Sequence, residues 1–190
     1  MKHKLKLVVL FLCSLCIGYL LYYYIFMDFL IVLGVPLFGV PIGLFCLFLI
    51  TCAIFLVLKI FFHDFHKIDA YILMGIYVAI LIVGLLFRDV SIRGIEFNPL
   101  AFISDFQKDF RSIYPNLMNI FGFIPFYPIL YAVNKTIIFK KGFTLFLFTS
   151  FIIEAMQYIF SVGFFSVADI VLYFIGMVIG YILIRIIEKN

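Results

Sequence analysis

Charge is what this 190-residue sequence has least of: Asp, Glu, Lys and Arg together make up 13% of it, against about 25% in a soluble domain. A water-facing surface cannot be covered with so little, which excludes an ordinary cytosolic or secreted domain. No basic domain interleaved with aromatics is present, so nucleic acid is not expected as a partner. The first apolar run lacks an A-x-A cleavage site, and neither Cys13 nor Cys16 stands behind a lipobox, so that run is expected to be an uncleaved span and not a leader or a lipoprotein signal. There is also no nucleophile–base pair and no convincing metal cluster. What abounds is apolar residues, 67% of the chain with a mean hydropathy of +1.27, and that excludes disorder. A spanning helix takes roughly 20 apolar residues, so at most about six fit. One all-α polytopic membrane domain over residues 1–190 is expected, with about six spans (five as the alternative) and an amphipathic helix on the outer leaflet.

The polar breaks divide the apolar runs. The first span covers residues 5–27, follows Lys2, Lys4 and Lys6, and ends on Tyr22, Tyr23 and Tyr24, where a membrane interface would lie. The run 29–62 is too long for one straight helix and carries the tandem Gly34-Val35-Pro36 and Gly39-Val40-Pro41, whose prolines remove helix donors. Two arrangements follow: an irregular connection up to Val40 with a span over 41–60, or one long kinked helix. A polar loop from His63 to Lys67 precedes a third span over 70–87. The fourth, 116–133, contains Pro125 and Pro128 and is expected to bend. The fifth and sixth cover 142–162 and 167–187.

Orientation follows from the cations. With the N-terminus inside, Lys2, Lys4, Lys6, Lys59, Lys67, Lys135, Lys140, Lys141, Arg185 and Lys189 are cytoplasmic, while Arg88, Arg93, Lys108 and Arg111 are outside. Six spans with both termini cytoplasmic satisfy the positive-inside rule, and the net charge of +4 reports topology. A multi-pass protein of the bacterial plasma membrane is the expectation. Residues 88–115 then form the main extracytoplasmic element. Asn98-Pro99 reads as an N-cap followed by proline at the first helical position. Leu100, Ile103, Phe106, Phe110 and Ile113 recur at helical spacing, Asp105, Lys108, Asp109 and Arg111 take the opposite face, and Pro115 ends the run. These residues predict an amphipathic helix held by burial of its apolar face.

Few residues remain that could carry chemistry. Cys13, Cys16, Cys46 and Cys52 all fall within spans, and packing between helices is their plain reading. His63 and His66, with Asp64 and Asp69 close by, have the spacing of metal ligands, but a polar loop looks the same; no metal and no cofactor are expected. Glu154 and Gln157 are the informative pair. Three residues apart, they share one face of the fifth helix with Ser150. Glu154 lies about 12 Å from the outer end of its helix, and an ionisable group at that depth costs on the order of 3 kcal/mol. A functional acid and an interhelical hydrogen-bond clamp are the two readings. Asp169 follows Ser166 with the S-x-x-D spacing of a capping box, which by itself accounts for an acid at the start of the sixth helix. Asn98, Asn119, Glu154, Gln157 and Asp169 all fall in the outer half of the membrane or just above it, where they could surround one outward-facing polar cavity. Glu154 and Asp169 are the candidate catalytic groups.

The order of these residues resembles that of the VanZ-like family of small bacterial membrane proteins. The similarity runs over residues 88–181: Asn-Pro at Asn98-Pro99, N-x-x-x-F-x-P at Asn119, Phe123 and Pro125, E-x-x-Q at Glu154 and Gln157, then D-x(6)-G at Asp169 and Gly176, followed by Gly180-Tyr181. Residues 1–62, holding the first two spans, match nothing specific. The chain departs from the family pattern with Phe126-Tyr127 after the proline of the fourth span, Phe164 and Ser166 in the hairpin where an Arg and an Asp are usual, and Tyr173 in place of an Asn. The resemblance implies a role at the cell envelope: a factor that lowers susceptibility to lipophilic glycopeptides such as teicoplanin, in Gram-positive bacteria, with membrane lipids or a lipid-linked envelope molecule as partner. The first alternative is an enzyme acting on a lipid-linked substrate with Glu154 and Asp169 as acid–base groups. The second is a small proton-coupled transporter, against which no repeat relates the two halves of the chain.

Overall fold

A computed structural model of the chain describes residues 2–27, 39–86, 92–108 and 113–189. It is helical and multi-pass. Six stretches are long and apolar enough to cross a membrane: Leu5–Ile25, Gly43–Phe61, Lys67–Gly84, Ile113–Val133, Phe139–Phe160 and Val167–Lys189. Their outward positions carry large apolar side chains, such as Leu145, Phe148, Phe151 and Ile159 of the fifth, while Ser150, Glu154 and Gln157 of the same helix are buried. That inside-out arrangement is what a helix surrounded by lipid requires.

The chain divides into two compact units, Met1–Gly84 and Leu85–Asn190. In the first, α1 (Lys2–Leu21) runs into a π-helical turn at Tyr22–Phe26 and packs against α2 (Gly39–Phe61). Gly18 makes their approach close, for a Cβ there would stand 2.7 Å from Thr51 Oγ1. A tight turn with His63 at φ 54° leads to α3 (Lys67–Leu86). Lys59 Nζ donates to Asp69 Oδ2 at 2.7 Å, and the same oxygen accepts the His66 backbone N–H at 2.8 Å. Asp69 is therefore committed to Lys59 and to its own helix start, and among the described residues no group of three His, Cys, Asp or Glu could hold a metal. Cys46 is buried, as packing predicts, and Cys52 is half-buried, whereas Cys13 and Cys16 are exposed on α1. The choice between an irregular connection and a kinked helix falls on residues 28–38, outside the described residues. The following helix is described over Gly39–Phe61.

The second unit holds β1 (Ile92–Glu96), α4 (Ala101–Lys108), α5 (Ile113–Phe123), α6 (Phe126–Val133), α7 (Phe139–Phe160), β2 (Val162–Ser166) and α8 (Val167–Lys189). The fourth span is thus two helices, broken at Ile124-Pro125. Pro125 and Pro128 lack the N–H groups that Phe121 and Ile124 carbonyls would otherwise receive. α8 packs along both pieces. Gly176 and Gly180 face the carbonyls of Ile120 and Ile124 so closely that a Cβ at either position would collide with backbone. In lipid, helices associate by packing, and small residues set how near two backbones come.

Aromatic rings fill the space between these helices. Phe123 stacks on Tyr173 with centroids 4.3 Å apart and meets Phe146 edge-on at 5.8 Å. Phe126 also meets Phe146 edge-on, and Tyr127 lies against Gly142 while its hydroxyl donates to Ile137 O. Each such ring pair contributes about 0.5–1.5 kcal/mol beyond area burial. Tyr127 and Tyr173, two of the departures from the family pattern, are therefore core residues here.

One expectation needs correction. Pro115 does not end the amphipathic run: it lies in the first turn of α5, where a missing N–H costs nothing, and α4 is described over Ala101–Lys108. Phe110 and Arg111 lie outside the described residues. The segment before Asn98 is a strand, and β1 pairs in parallel with β2, the hairpin between α7 and α8, from Ile92↔Val162 to Glu96↔Ser166.

Candidate functional site

The inward stripe of α7 is Phe146, Ser150, Glu154 and Gln157, spaced four, four and three residues apart, so one helix face carries them all. α7 ends at Ser161, which adopts the left-handed conformation (φ 58°) and returns its N–H to Gln157 O and Tyr158 O. That turn sends β2 back over the end of the helix. Gly163 then passes directly above Gln157, whose Oε1 would be 3.6 Å from a Cβ at that position. Three residues later the chain enters α8 at Ser166.

Ser166 joins two acids. Its backbone N–H donates to Glu154 Oε2 at 2.8 Å, and its hydroxyl accepts from the Asp169 N–H at 3.2 Å. The second bond is the forward half of the S-x-x-D capping box. The reciprocal half would return the Asp169 carboxylate to the Ser166 N–H, the donor that reaches Glu154 in this fold. The Asp169 Oδ1 accepts from Asn119 Nδ2 of α5 at 2.9 Å. A hydrogen-bonded series thus runs Glu154–Ser166–Asp169–Asn119 and connects α7, α8 and α5. Both carboxylates lie at the N-terminus of α8, where unpaired amides and the helix dipole stabilise negative charge. A buried polar group is tolerated only when it is hydrogen-bonded, and the Ser166 N–H meets that need at Glu154 Oε2.

The members differ in exposure. Glu154 is 0% exposed, Gln157 2% and Asn119 7%, while Asp169 is half-buried. Asn119 bonds Asp169 directly and Glu154 reaches it through Ser166, with Asp169 nearest to the edge of the series. Asn98 stands apart. It is exposed, donates its N–H to Glu96 Oε1 at 2.8 Å, and accepts the Leu100 N–H on Oδ1 at 3.1 Å. It caps the start of α4, and among the described residues it makes no hydrogen bond to the other four. Ser150 gives its hydroxyl to Leu147 O, the local bond of a helical serine.

The strand pair adds residues that local patterns do not reveal. Arg93, opposite Gly163 in the register, lays its guanidinium over the Tyr158 ring at 4.2 Å. Phe164 turns its ring over Gly94, where a Cβ would collide with it. The pairing links segments about 70 residues apart through strands of only five residues, so no periodicity in the sequence marks it.

The sequence model of the VanZ/LLP1 family matches residues 45–188, a stretch that begins inside α2 and includes every residue of the polar cluster. The chain belongs to the VanZ/LLP1 family. The match reaches further toward the N-terminus than residues 88–181, where the motifs lie, and takes in most of the second span and all of the third. No curated protein and no solved structure matches the chain.

Proposed function

We propose that this chain is a VanZ-like factor of the bacterial plasma membrane that acts on, or shields, a lipid-linked envelope molecule and so lowers susceptibility to lipophilic glycopeptides such as teicoplanin. The observation that carries the reading is the series Glu154–Ser166–Asp169–Asn119, a polar cluster inside the family match that couples three spans. Polar groups at such depth are costly and mark a site where a membrane protein does its work. The distribution of Lys and Arg supports cytoplasmic termini, with the α7–α8 hairpin and its cluster on the outer side. Expression in a susceptible Gram-positive host should raise tolerance to teicoplanin more than tolerance to vancomycin. No shift in either, with the protein confirmed in the membrane, overturns the proposal.

A second reading is favoured by one specific feature, the two carboxylates joined through a single serine. An acid and a base held in fixed relation are what proton transfer to a lipid-linked substrate needs. In that reading Glu154 is the acid–base group and Asp169, nearer the edge, orients the substrate. Turnover of a lipid-linked envelope precursor by purified protein separates this reading from the first.

A further inference from the structure

We infer that Arg93 is the anion-recognising residue of this site and takes the phosphate oxyanion of a lipid headgroup. The inference rests on the reading of the site as one for a lipid-linked envelope molecule and adds the chemical group by which that molecule is held.

Three observations carry it. Arg93 makes no ion pair among the described residues; its contact is the face of Tyr158, 4.2 Å from the ring centroid. Stacking uses the flat face of a guanidinium and leaves its in-plane N–H donors directed outward in a fixed fork, the geometry that matches two oxygens of a phosphate. The second observation is position. β2 lies between the span Phe139–Phe160 and the span Val167–Lys189, and β1 lies outside the spans on either side of it. A sheet between the ends of two successive spans is at the level of lipid headgroups, where Arg and Tyr are favoured. The third is the company Arg93 keeps. Ile95, on the same face of β1 as Arg93, and Phe97 at the strand's exit are large apolar side chains left exposed. A free phosphate has no use for them, whereas the glycerol and first methylenes of a lipid do.

The register brings this cation to the polar cluster. Arg93 is opposite Gly163, and Gly163 lies on Gln157, one helical turn beyond Glu154. At the other end of the same pairing Glu96 is opposite Ser166, the residue that joins Glu154 to Asp169. A phosphate on Arg93 would therefore lie beside the cluster, with its lipid chains along the exposed apolar face.

The test uses the full chain in nanodiscs of phosphatidylcholine. Dioctanoyl phosphatidic acid, dioctanoyl phosphatidylcholine and inorganic phosphate are titrated in turn, and binding is read by calorimetry. The wild type should bind phosphatidic acid about tenfold more tightly than phosphatidylcholine, and R93Q should remove that preference. R93K retains a cation able to lie on Tyr158 and keeps β1 in place. It should lose part of the preference, because an ammonium has no fork, and it serves as the measurement if R93Q does not fold. Inorganic phosphate binding as tightly as phosphatidic acid, and lost in R93Q, keeps the oxyanion chemistry and assigns it to a free anion instead of a lipid. Absence of any preference in the wild type, or a preference unchanged in R93Q and R93K, overturns the inference. Failure of the teicoplanin assay with the headgroup preference intact overturns the envelope reading alone.

Discussion

The backbone N–H of Ser166 donates to the fully buried Oε2 of Glu154 at 2.8 Å, tying the first residue before α8 to the inward face of α7. Glu154 is therefore an acceptor as well as an acid, and the two roles can be separated by substitution. Glu154→Gln keeps an acceptor oxygen for Ser166 and should leave folded protein in the membrane at wild-type level. Glu154→Leu strands a buried N–H and should lower stability by about 1–3 kcal/mol, read as the thermal midpoint in detergent. If proton transfer is the role of Glu154, the Gln variant loses the tolerance phenotype while remaining folded. Full phenotype in E154Q would leave Glu154 as a structural clamp.

Asn119 and Asp169 form the other end of the series, and their bond crosses from α5 to α8. Removing either side chain also removes the benefit of the other, so their effects should not add. A double-mutant cycle of Asn119→Leu and Asp169→Leu should give a coupling energy of about 1 kcal/mol, the scale found for interhelical bonds in lipid. Asp169→Asn keeps an acceptor for Asn119 and should retain most of that coupling. Additive single effects would mean that the bond contributes nothing to helix association.

The spans were legible in the sequence because their signal is local: a run of apolar residues long enough for a bilayer, bounded by Lys or by Gly and Pro. The inward stripe of α7 was legible for a related reason, since a helix places residues three and four apart on one face whatever its neighbours do. β1 and β2 were not. Their pairing depends on where α7 ends and how Ser161 turns, and five-residue strands containing Gly94 and Gly163 carry no alternation to read. Arg93 was consequently visible only as one of four external cations. Asn98 shows the opposite failure. Its motif suggested membership of the cluster, but a side chain that caps α4 is already engaged.

The close approach of α8 to the broken fourth span depends on two glycines. A Cβ on Gly176 or Gly180 would meet the carbonyl of Ile120 or Ile124, which are backbone atoms and cannot rotate away. Gly176→Ala and Gly180→Ala should each lower stability by about 1–3 kcal/mol through overpacking. Gly75 of α3 has nothing within 4 Å of its Cβ position, so Gly75→Ala should be neutral or gain about 0.5–1 kcal/mol from reduced backbone entropy in the unfolded chain. Thermal midpoints of the three variants in one detergent decide the matter. Equal losses at all three positions would show that the seam is not set by close contact.

Orientation is the remaining premise of the envelope reading, and it can be tested without reference to function. The four native cysteines are free thiols, so a variant with Cys13, Cys16, Cys46 and Cys52 replaced by Ala gives a silent background. Asn98 is exposed in the loop after β1, and Lys135 is exposed in the turn between α6 and α7. The two positions lie at opposite ends of the fourth span, Ile113–Val133. With cytoplasmic termini, a membrane-impermeant maleimide added to intact cells should label Asn98→Cys and leave Lys135→Cys unlabelled until the cells are broken. Glu154→Cys should stay unlabelled in both conditions, because that position is sealed by Ser166 and β2. The reverse pattern at residues 98 and 135 would place the polar cluster on the cytoplasmic side, where an extracellular glycopeptide target could not reach it.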